Sequence, residues 1–247
     1  MNHKVSMTLQ FDPADIDHFK SQIRGIPGYP IGEDLPIREM AFESGAVWRL
    51  PDLLTRAGTE PDQQLFAVMD RTPMKREGRD LKELILQILK QAGYKVEVIW
   101  LEPDHTGQVH TDFIQINSVK ERLSENSAVL SVGSGTVTDI AKHACYVYQQ
   151  EHNTPPLPFV VYQTANSVSA YTSNMAPTFV DGVKRTLPSR YPDVLVCDLE
   201  TLRDAPRSMT VAGVGDLLAA FGSYADWWLA YRLGIDNTYT EFAQTLM

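Results

Sequence analysis

Short apolar runs alternate with amphipathic segments through the middle of the chain. The short runs at 64–70, 94–100 and 128–132 have the length and largely apolar or β-branched composition of strands, and 64–70 and 128–132 are predicted to be buried. Between them, segments 79–93 and 111–123 place apolar residues three and four positions apart, the period of a helix with one buried face. Alternation of strand and helix predicts parallel strands, because parallel neighbours need a crossover connection that a helix supplies.

Each amphipathic segment predicts which side chains face the core. The stripe of the first helix ends at Gly93 and consists of Leu81, Leu84, Ile85, Ile88 and Leu89. In the second helix we expect three residues to point inward: Phe113, Ile116 and Leu123. A third helix follows the strand at 128–132, and its predicted inward residues are Ile140, Ala144 and Val147.

The flanking segments extend the same organisation. Segments 13–23 and 46–58 predict short helices with a loop rich in proline and glycine between them, and 158–164 and 193–198 predict two more strands. Between these strands the sequence predicts a hairpin that turns at Asp181-Gly182.

The fold class predicted from this order is α/β. We expect a Rossmann-like, doubly wound parallel sheet domain that binds a nucleotide at 1–204, followed at 205–247 by the first helices of an all-helical domain. The helical character from Ala205 onward sets the boundary, and the helical domain is expected to be incomplete.

Composition excludes several classes of protein. The chain has 247 residues, of which 43% are hydrophobic, enough for a real core. Its net charge of −9 comes without a run of Lys or Arg that could follow a nucleic acid or an anionic membrane. The sequence shows neither an apolar run near the ~18 residues of a spanning helix nor a signal peptide, so we predict a cytoplasmic protein without membrane or nucleic-acid partners. Cys145 and Cys197 lie in apolar segments and predict buried thiols.

The turn after the strand at 128–132 is the strongest candidate for binding chemistry. It reads Gly133-Ser134-Gly135-Thr136-Val137-Thr138-Asp139 and opens a helix, whose unpaired N–H groups and positive dipole end favour a phosphate. Glycines allow unusual backbone angles and a close approach of the ligand. The turn lacks the third glycine of the dinucleotide fingerprint, so a purely structural turn remains an equal alternative on this motif alone.

A second loop rich in hydroxyl groups, 164–173, also follows a buried strand. Together with "GSGTVTDIAK", "VDGVKRTLPS" and "GVGDLL" near Asp216, this loop, "TANSVSAYTS", resembles the metal-dependent polyol dehydrogenase superfamily of iron-type alcohol dehydrogenases, glycerol dehydrogenase and dehydroquinate synthase. Within that superfamily the chain is most similar to the sn-glycerol-1-phosphate dehydrogenase branch, from about Gln64 to the C-terminus.

The resemblance implies a cofactor site for NAD or NADP. The residues from Gly133 to Val137 would wrap the pyrophosphate, and Asp139 would fix the turn and the helix start. Thr164, Ser167 and Ser173 would contact the nicotinamide half. Asp70 would hold the adenosine ribose hydroxyls, which favours NAD, whereas Arg71 beside it could accept NADP. The alternative for Asp70 is a solvated aspartate at a strand end.

The resemblance also implies a divalent metal, which is zinc, nickel or iron in such enzymes. Asp216 would be one of three protein ligands, the other two being histidines on later helices, and the metal would stabilise charge on the substrate oxygen during hydride transfer. The substrate would be a small phosphorylated polyol or ketone, dihydroxyacetone phosphate in this branch. A capping aspartate at the start of an amphipathic helix is the alternative for Asp216.

Two departures from the family pattern limit these expectations. Ser169 stands where the family has an aspartate that binds substrate hydroxyls, so a substrate contact at Ser169 leaves the substrate's identity open. All six histidines precede Asp216, so neither metal histidine is present, and His105 and His110 show no ligand spacing on a helix.

Two functions from different classes follow from these residues. The first is a dehydrogenase, expected to be a homo-oligomer, whose chain is incomplete at 247 residues. The second is a non-catalytic nucleotide-binding fragment, or a subunit completed by another polypeptide.

Overall fold

The computed structural model describes residues 12, 14–29, 34–240, 242 and 245. Ten strands occur in this part of the chain: β1 Glu39–Glu43, β2 Gln64–Met69, β3 Lys75–Arg76, β4 Arg79–Asp80, β5 Lys95–Trp100, β6 Ser127–Gly133, β7 Phe159–Gln163, β8 Met175–Val180, β9 Val183–Pro188 and β10 Val194–Asp198. Its α-helices are α1 Ile16–Arg24, α2 Leu50–Arg56, α3 Leu81–Gln91, α4 Phe113–Lys120, α5 Gly135–His152, α6 Leu199–Asp204 and α7 Arg207–Arg232. Short 3₁₀ turns lie at Ala46–Arg49 and Ser169–Tyr171.

Six of the strands form one sheet in the order β1-β10-β7-β6-β2-β5, and every neighbouring pair is parallel. The predicted doubly wound parallel sheet is therefore confirmed. The sequence pattern missed β1, because Glu39–Glu43 is an edge strand in which only Ala41 is buried, so it presents no apolar run. Strands β8 and β9 form the predicted hairpin, and Asp181 and Gly182 both adopt positive φ at its turn.

Helices cover both faces of the sheet. One apolar core lies between the sheet and α2 and α3, and the other between the sheet and α4, α5 and α6. The predicted stripe of α3 is buried throughout, and Cys145 and Cys197 are buried free thiols as expected. The prediction for Phe113 was wrong: it begins α4 and is 39% exposed, whereas Ile116 and Leu123 are buried. Val147 of α5 is only half-buried.

Some predictions fall on residues outside the described ranges. These are Pro13 of the first predicted helix, residues 30–33 of the loop that follows it, and most of the helix-prone segment 241–247. The first helix itself lies within the described part as α1, with Asp15 as its N-cap.

Helix α7 leaves the sheet domain with its apolar side chains exposed. None of its residues is buried, and the large exposed ones include Val214, Leu217, Leu218, Phe221, Trp228 and Leu229. Apolar patches of this kind mark contact surfaces. No described helix, α7 included, combines the length and the apolar character needed to cross a membrane.

We expect the 247-residue chain to self-associate through α7, since water contact with its apolar side chains is unfavourable. Leu217→Glu should shift the protein toward monomer, as measured by sedimentation velocity. Ser223→Glu is the matched control, because it adds the same charge to α7 at an exposed polar position. Equal effects of the two substitutions, or a monomeric parent protein, would contradict the prediction.

Candidate functional site

The predicted binding residues meet at the carboxyl edge of the parallel sheet. Pairing of Met69 with Val132 places Asp70 level with Gly133, and Gly133 itself pairs with Gln163 at the end of β7. The loop that begins at Thr164 therefore starts beside the glycine turn. In open parallel sheets this edge is where ligands bind.

The two glycines of the turn are required by close packing. Neither has a positive φ, so neither uses the left-handed backbone region that a glycine allows. A Cβ on Gly133 would lie 2.6 Å from Val137 Cγ2, and one on Gly135 would lie 2.6 Å from Val168 Cγ2. The second contact brings the glycine turn against the 164–173 loop. A Gly135→Val substitution would thus disturb the loop as well as any bound pyrophosphate.

The start of α5 keeps its helix-terminal N–H groups free of a side-chain cap. Ser134 is the N-cap residue, but its side chain makes no capping hydrogen bond. Ser134 and Thr136 are half-buried, whereas Val137 and Thr138 are fully covered. An uncapped N-terminus with two accessible hydroxyl side chains has the donors that an anion needs.

Asp139 has a different role from the predicted one. It lies inside α5, beyond the first turn, and its Oδ1 is 2.8 Å from Lys142 Nζ. Burial raises the pKa of the Asp139 carboxyl and lowers the pKa of the Lys142 ammonium group, because both charges have lost their water. Asp139 therefore balances a buried cation and does not fix the helix start.

Lys142 links α5 to the 164–173 loop. Its side chain is fully buried, and Nζ donates hydrogen bonds to Ala170 O at 3.1 Å and to Ser173 O at 3.0 Å. With Asp139 as the third neighbour, the ammonium group is fully used inside the protein. The sequence analysis missed this residue. The available signal was its position three residues after an aspartate.

The loop hydroxyls mainly hold the loop itself. Thr164 Oγ1 donates to Gly133 O at 2.7 Å, and Ser173 Oγ accepts from Met175 N at 3.0 Å. Ser167 is buried. These contacts fix the loop beside the glycine turn, and the predicted nicotinamide contacts of these three residues stay predictions.

Asp70 lies where predicted, but the alternative of a solvated aspartate is wrong. It is only 7% exposed, and Lys82 Nζ donates to its Oδ1 at 2.9 Å and to its backbone carbonyl at 2.5 Å. Thr72 Oγ1 donates to Oδ2 at 2.7 Å. The charge of this carboxylate is thus balanced internally, and most of its acceptor capacity is used.

Asp216 lies in the interior of α7, so the alternative of a capping aspartate is wrong. Its Oδ2 accepts a hydrogen bond from Ser169 N at 3.0 Å. Gly213, on the same helix, lies so close to Asn166 that a Cβ there would overlap the Asn166 carbonyl. The predicted metal and substrate residues, Asp216 and Ser169, are therefore in direct contact.

The metal-ligand set of the family does not fit this chain by itself. In the described part of the chain, no group of three or more His, Cys, Asp and Glu side chains is arranged to hold a metal ion. The side-chain nitrogens of His105 and His110 lie 3.9 Å and 3.4 Å from Asp104 Oδ2, at the surface. Asp216 is the sole member of the predicted ligand set that the sequence supplies.

A cleft of about 420 Å³ opens beside the loop, where α6 leads into α7. Asn166 borders it on the loop side, and Arg203 and Arg207 contribute two cations. The cleft adjoins the same carboxyl edge that holds the glycine turn, since Phe42 at the end of β1 also lines it.

The family profile and the curated proteins that match this chain agree with one another. The family profile described as iron-containing alcohol dehydrogenase matches residues 41–206. A glycerol-1-phosphate dehydrogenase [NAD(P)+] of Bacillus subtilis is 33% identical over 202 residues, which are 81% of this chain and 48% of that protein. The protein of the same name from Geobacillus stearothermophilus is 28% identical over 219 residues, which are 86% of this chain and 49% of that protein. The chain spans about half the length of the curated relatives it matches.

Solved structures show the same fold. An iron-containing alcohol dehydrogenase from Thermotoga maritima matches with a TM-score of 0.58 at 15% identity, covering 75% of this chain and 52% of that one. A glycerol dehydrogenase from Schizosaccharomyces pombe matches with a TM-score of 0.56 at 16% identity, covering 74% and 43%. Both comparisons cover about half of the solved protein.

Removing the Lys142 cation should strongly destabilise the domain. Lys142→Met leaves Asp139 buried without its partner and two loop carbonyls without a donor, and we expect a loss of about 3–5 kcal/mol in the free energy of unfolding. Chemical denaturation measures this loss. Lys120→Met is the control, because it breaks the more exposed pair with Glu151 and should cost no more than about 1 kcal/mol. Similar losses for both variants would contradict a stabilising role for the buried Lys142 contacts.

Proposed function

The chain belongs to the iron-containing alcohol dehydrogenase family, and we propose that it forms the nucleotide-binding part of an NAD(P)-dependent, metal-requiring glycerol-1-phosphate dehydrogenase. The observation that carries the proposal is the uncapped start of α5, which lies against the 164–173 loop and level with Asp70. The dinucleotide supplies or accepts the hydride, and dihydroxyacetone phosphate is the proposed partner in that exchange.

The pyrophosphate is assigned to the glycine turn. The first N–H groups of α5, from Gly135 to Val137, point out of the helix end and carry its positive partial charge. Ser134 and Thr136 add hydroxyl donors at the same place. The net charge of the whole chain is −9, so attraction of an anion depends on these local donors.

The two ends of the dinucleotide are assigned to opposite sides of this turn. The nicotinamide half lies along the 164–173 loop, with Thr164, Ser167 and Ser173, because that loop follows β7 on one side of β6. The adenosine half lies toward Asp70, because β2 is the neighbour of β6 on the other side. A loop already held by Lys142 binds with less ordering cost than a mobile one.

Substrate and metal are assigned to the side where α7 crosses the loop. Asp216 is the proposed ligand for zinc, nickel or iron, and Ser169 is the proposed substrate contact. Arg203 and Arg207 in the adjoining cleft are suited to the phosphate of a phosphorylated ketone. The other metal ligands do not come from this sequence, so the residues of this chain alone do not assign a catalytic step to the metal.

A second function is favoured by one specific observation. All six histidines precede Asp216, and the described residues hold no set of metal ligands. A nucleotide-binding subunit without catalysis of its own, completed by another polypeptide, is therefore the alternative function. In either case we propose a homo-oligomeric, cytoplasmic protein whose ligands are small molecules.

Cofactor binding can be tested without disturbing the loop contact. Thr136→Glu places a negative charge in the first turn of α5, where it suits the helix dipole but repels a pyrophosphate. We expect NADH affinity, measured by nicotinamide fluorescence, to fall by more than about tenfold, which is about 1.4 kcal/mol. Thr136→Gln, of equal length but uncharged, should retain most of the affinity. A folded parent protein that binds neither NADH nor NADPH would contradict the proposed function.

The 247-residue chain alone should bind NADH without reducing dihydroxyacetone phosphate when zinc, nickel or iron is added. The reason is that a stable catalytic site needs about three protein ligands, and this sequence supplies Asp216 alone from the predicted set. Absorbance of NADH follows the reaction. Turnover that Asp216→Ala abolishes would show that the remaining ligands come from elsewhere in this chain.

A further inference from the structure

The end of β2 carries a buried carboxylate whose charge is already balanced. Lys82 Nζ is 2.9 Å from Asp70 Oδ1, and both groups are almost completely buried. Lys82 also donates to the carbonyls of Asp70 and Thr72, at 2.5 Å and 2.7 Å. An aspartate in this position usually favours NAD by binding two ribose hydroxyls and repelling a 2′-phosphate. Pairing with Lys82 weakens both effects.

The residue after Asp70 presents a cation to solvent in a fixed orientation. The Arg71 side chain is 58% exposed, and its guanidinium carbon lies 5.2 Å from the centre of the Trp100 ring. Glu102 accepts from Arg71 Nη2 at 2.8 Å and from Nε at 3.3 Å. A guanidinium held over an indole ring and by a carboxylate has lost much of its rotational freedom.

Strand register puts this cation at the adenosine end of the proposed cofactor site. Met69 pairs with Val132 on one side and with Trp100 on the other, so the ends of β6, β2 and β5 lie side by side. A dinucleotide whose pyrophosphate lies at the Gly133 turn and whose ribose reaches Asp70 therefore extends toward Arg71 and Trp100.

We propose that Arg71 determines cofactor choice and that the site takes a 2′-phosphorylated dinucleotide, NADP(H), in preference to NAD(H). This inference rests on the proposed function, since it needs a dinucleotide at the carboxyl edge. The guanidinium binds the 2′-phosphate through charge-assisted hydrogen bonds, and its open face accepts the adenine ring by stacking. The neutral Asp70–Lys82 pair provides no net negative charge to oppose the phosphate.

Glu102 competes with the proposed 2′-phosphate for the Arg71 guanidinium. Its pKa is lowered by the hydrogen bond from Arg71, so it is ionised at neutral pH. Removing its charge frees donors on Arg71 and removes a repulsive group. Arg71 and Glu102 substitutions should therefore change NADPH affinity in opposite directions, which an ordinary surface ion pair would not do.

The test compares the dissociation constants of NADPH and NADH for four proteins by fluorescence titration. The parent protein should bind NADPH more tightly than NADH. Arg71→Ala should lower the affinity for NADPH about 10- to 100-fold and change the affinity for NADH less than about threefold. Glu102→Gln should raise the affinity for NADPH about 3- to 10-fold. Arg122→Ala removes a similar exposed arginine, paired with Glu97, and should change neither affinity.

The outcomes separate the two proposals. NADH binding without tighter NADPH binding, or an equal loss of both affinities in folded Arg71→Ala, would overturn the role of Arg71 and leave the dinucleotide site standing. A parent protein that binds neither dinucleotide would overturn both proposals. Unchanged melting temperatures would show that the four proteins share one fold, as expected for substitutions on the surface.

Discussion

The buried ammonium group of Lys142 is the constraint on which the candidate site depends. Loops at the carboxyl edge of a parallel sheet have carbonyl groups without strand partners, and buried carbonyls need donors. Lys142 supplies donors to Ala170 and Ser173 from the neighbouring helix, while Asp139 balances its charge. Lys82 does the same at the end of β2, for Asp70 and its loop. In both places the sheet positions the start of a loop at the candidate site, and a helix lysine holds the loop itself.

This arrangement explains how the glycine turn and the second loop form one surface. Gly135 leaves room for Val168, and the Thr164 hydroxyl bonds to the Gly133 carbonyl, so each loop limits the movement of the other. Helix α7 adds a third contact, from Asp216 to Ser169 N. A substitution in any of the three segments therefore alters the packing of the other two. For this reason, loss of binding alone does not identify a residue that touches a ligand.

The parts of the fold that could be predicted from sequence were the helices and strands with a regular pattern of apolar residues and the turn that requires positive φ. Largely apolar strands such as 128–132 and the Asp181-Gly182 hairpin were confirmed, because burial on both faces and positive φ leave clear residue signals. Buried lysines were missed, since a charged residue in a helix normally indicates a solvated face. Asp216 was predicted to lie at the start of an amphipathic helix, yet it lies inside α7, where Gly213 lets the helix pass Asn166. Such a contact between distant segments has no local signal.

Charge balance at the carboxyl edge affects how an acidic chain could hold the proposed anionic cofactor. With a net charge of −9, the average field of the chain opposes such a ligand, but at physiological ionic strength that field is screened beyond about 8 Å. Within that distance the carboxylates of Asp70 and Asp139 are each paired with a lysine. The charges that the proposed dinucleotide would meet are then the start of α5 and the exposed Arg71–Glu102 pair. Internal pairing of buried carboxylates thus allows phosphate binding at an edge where aspartates also have structural roles.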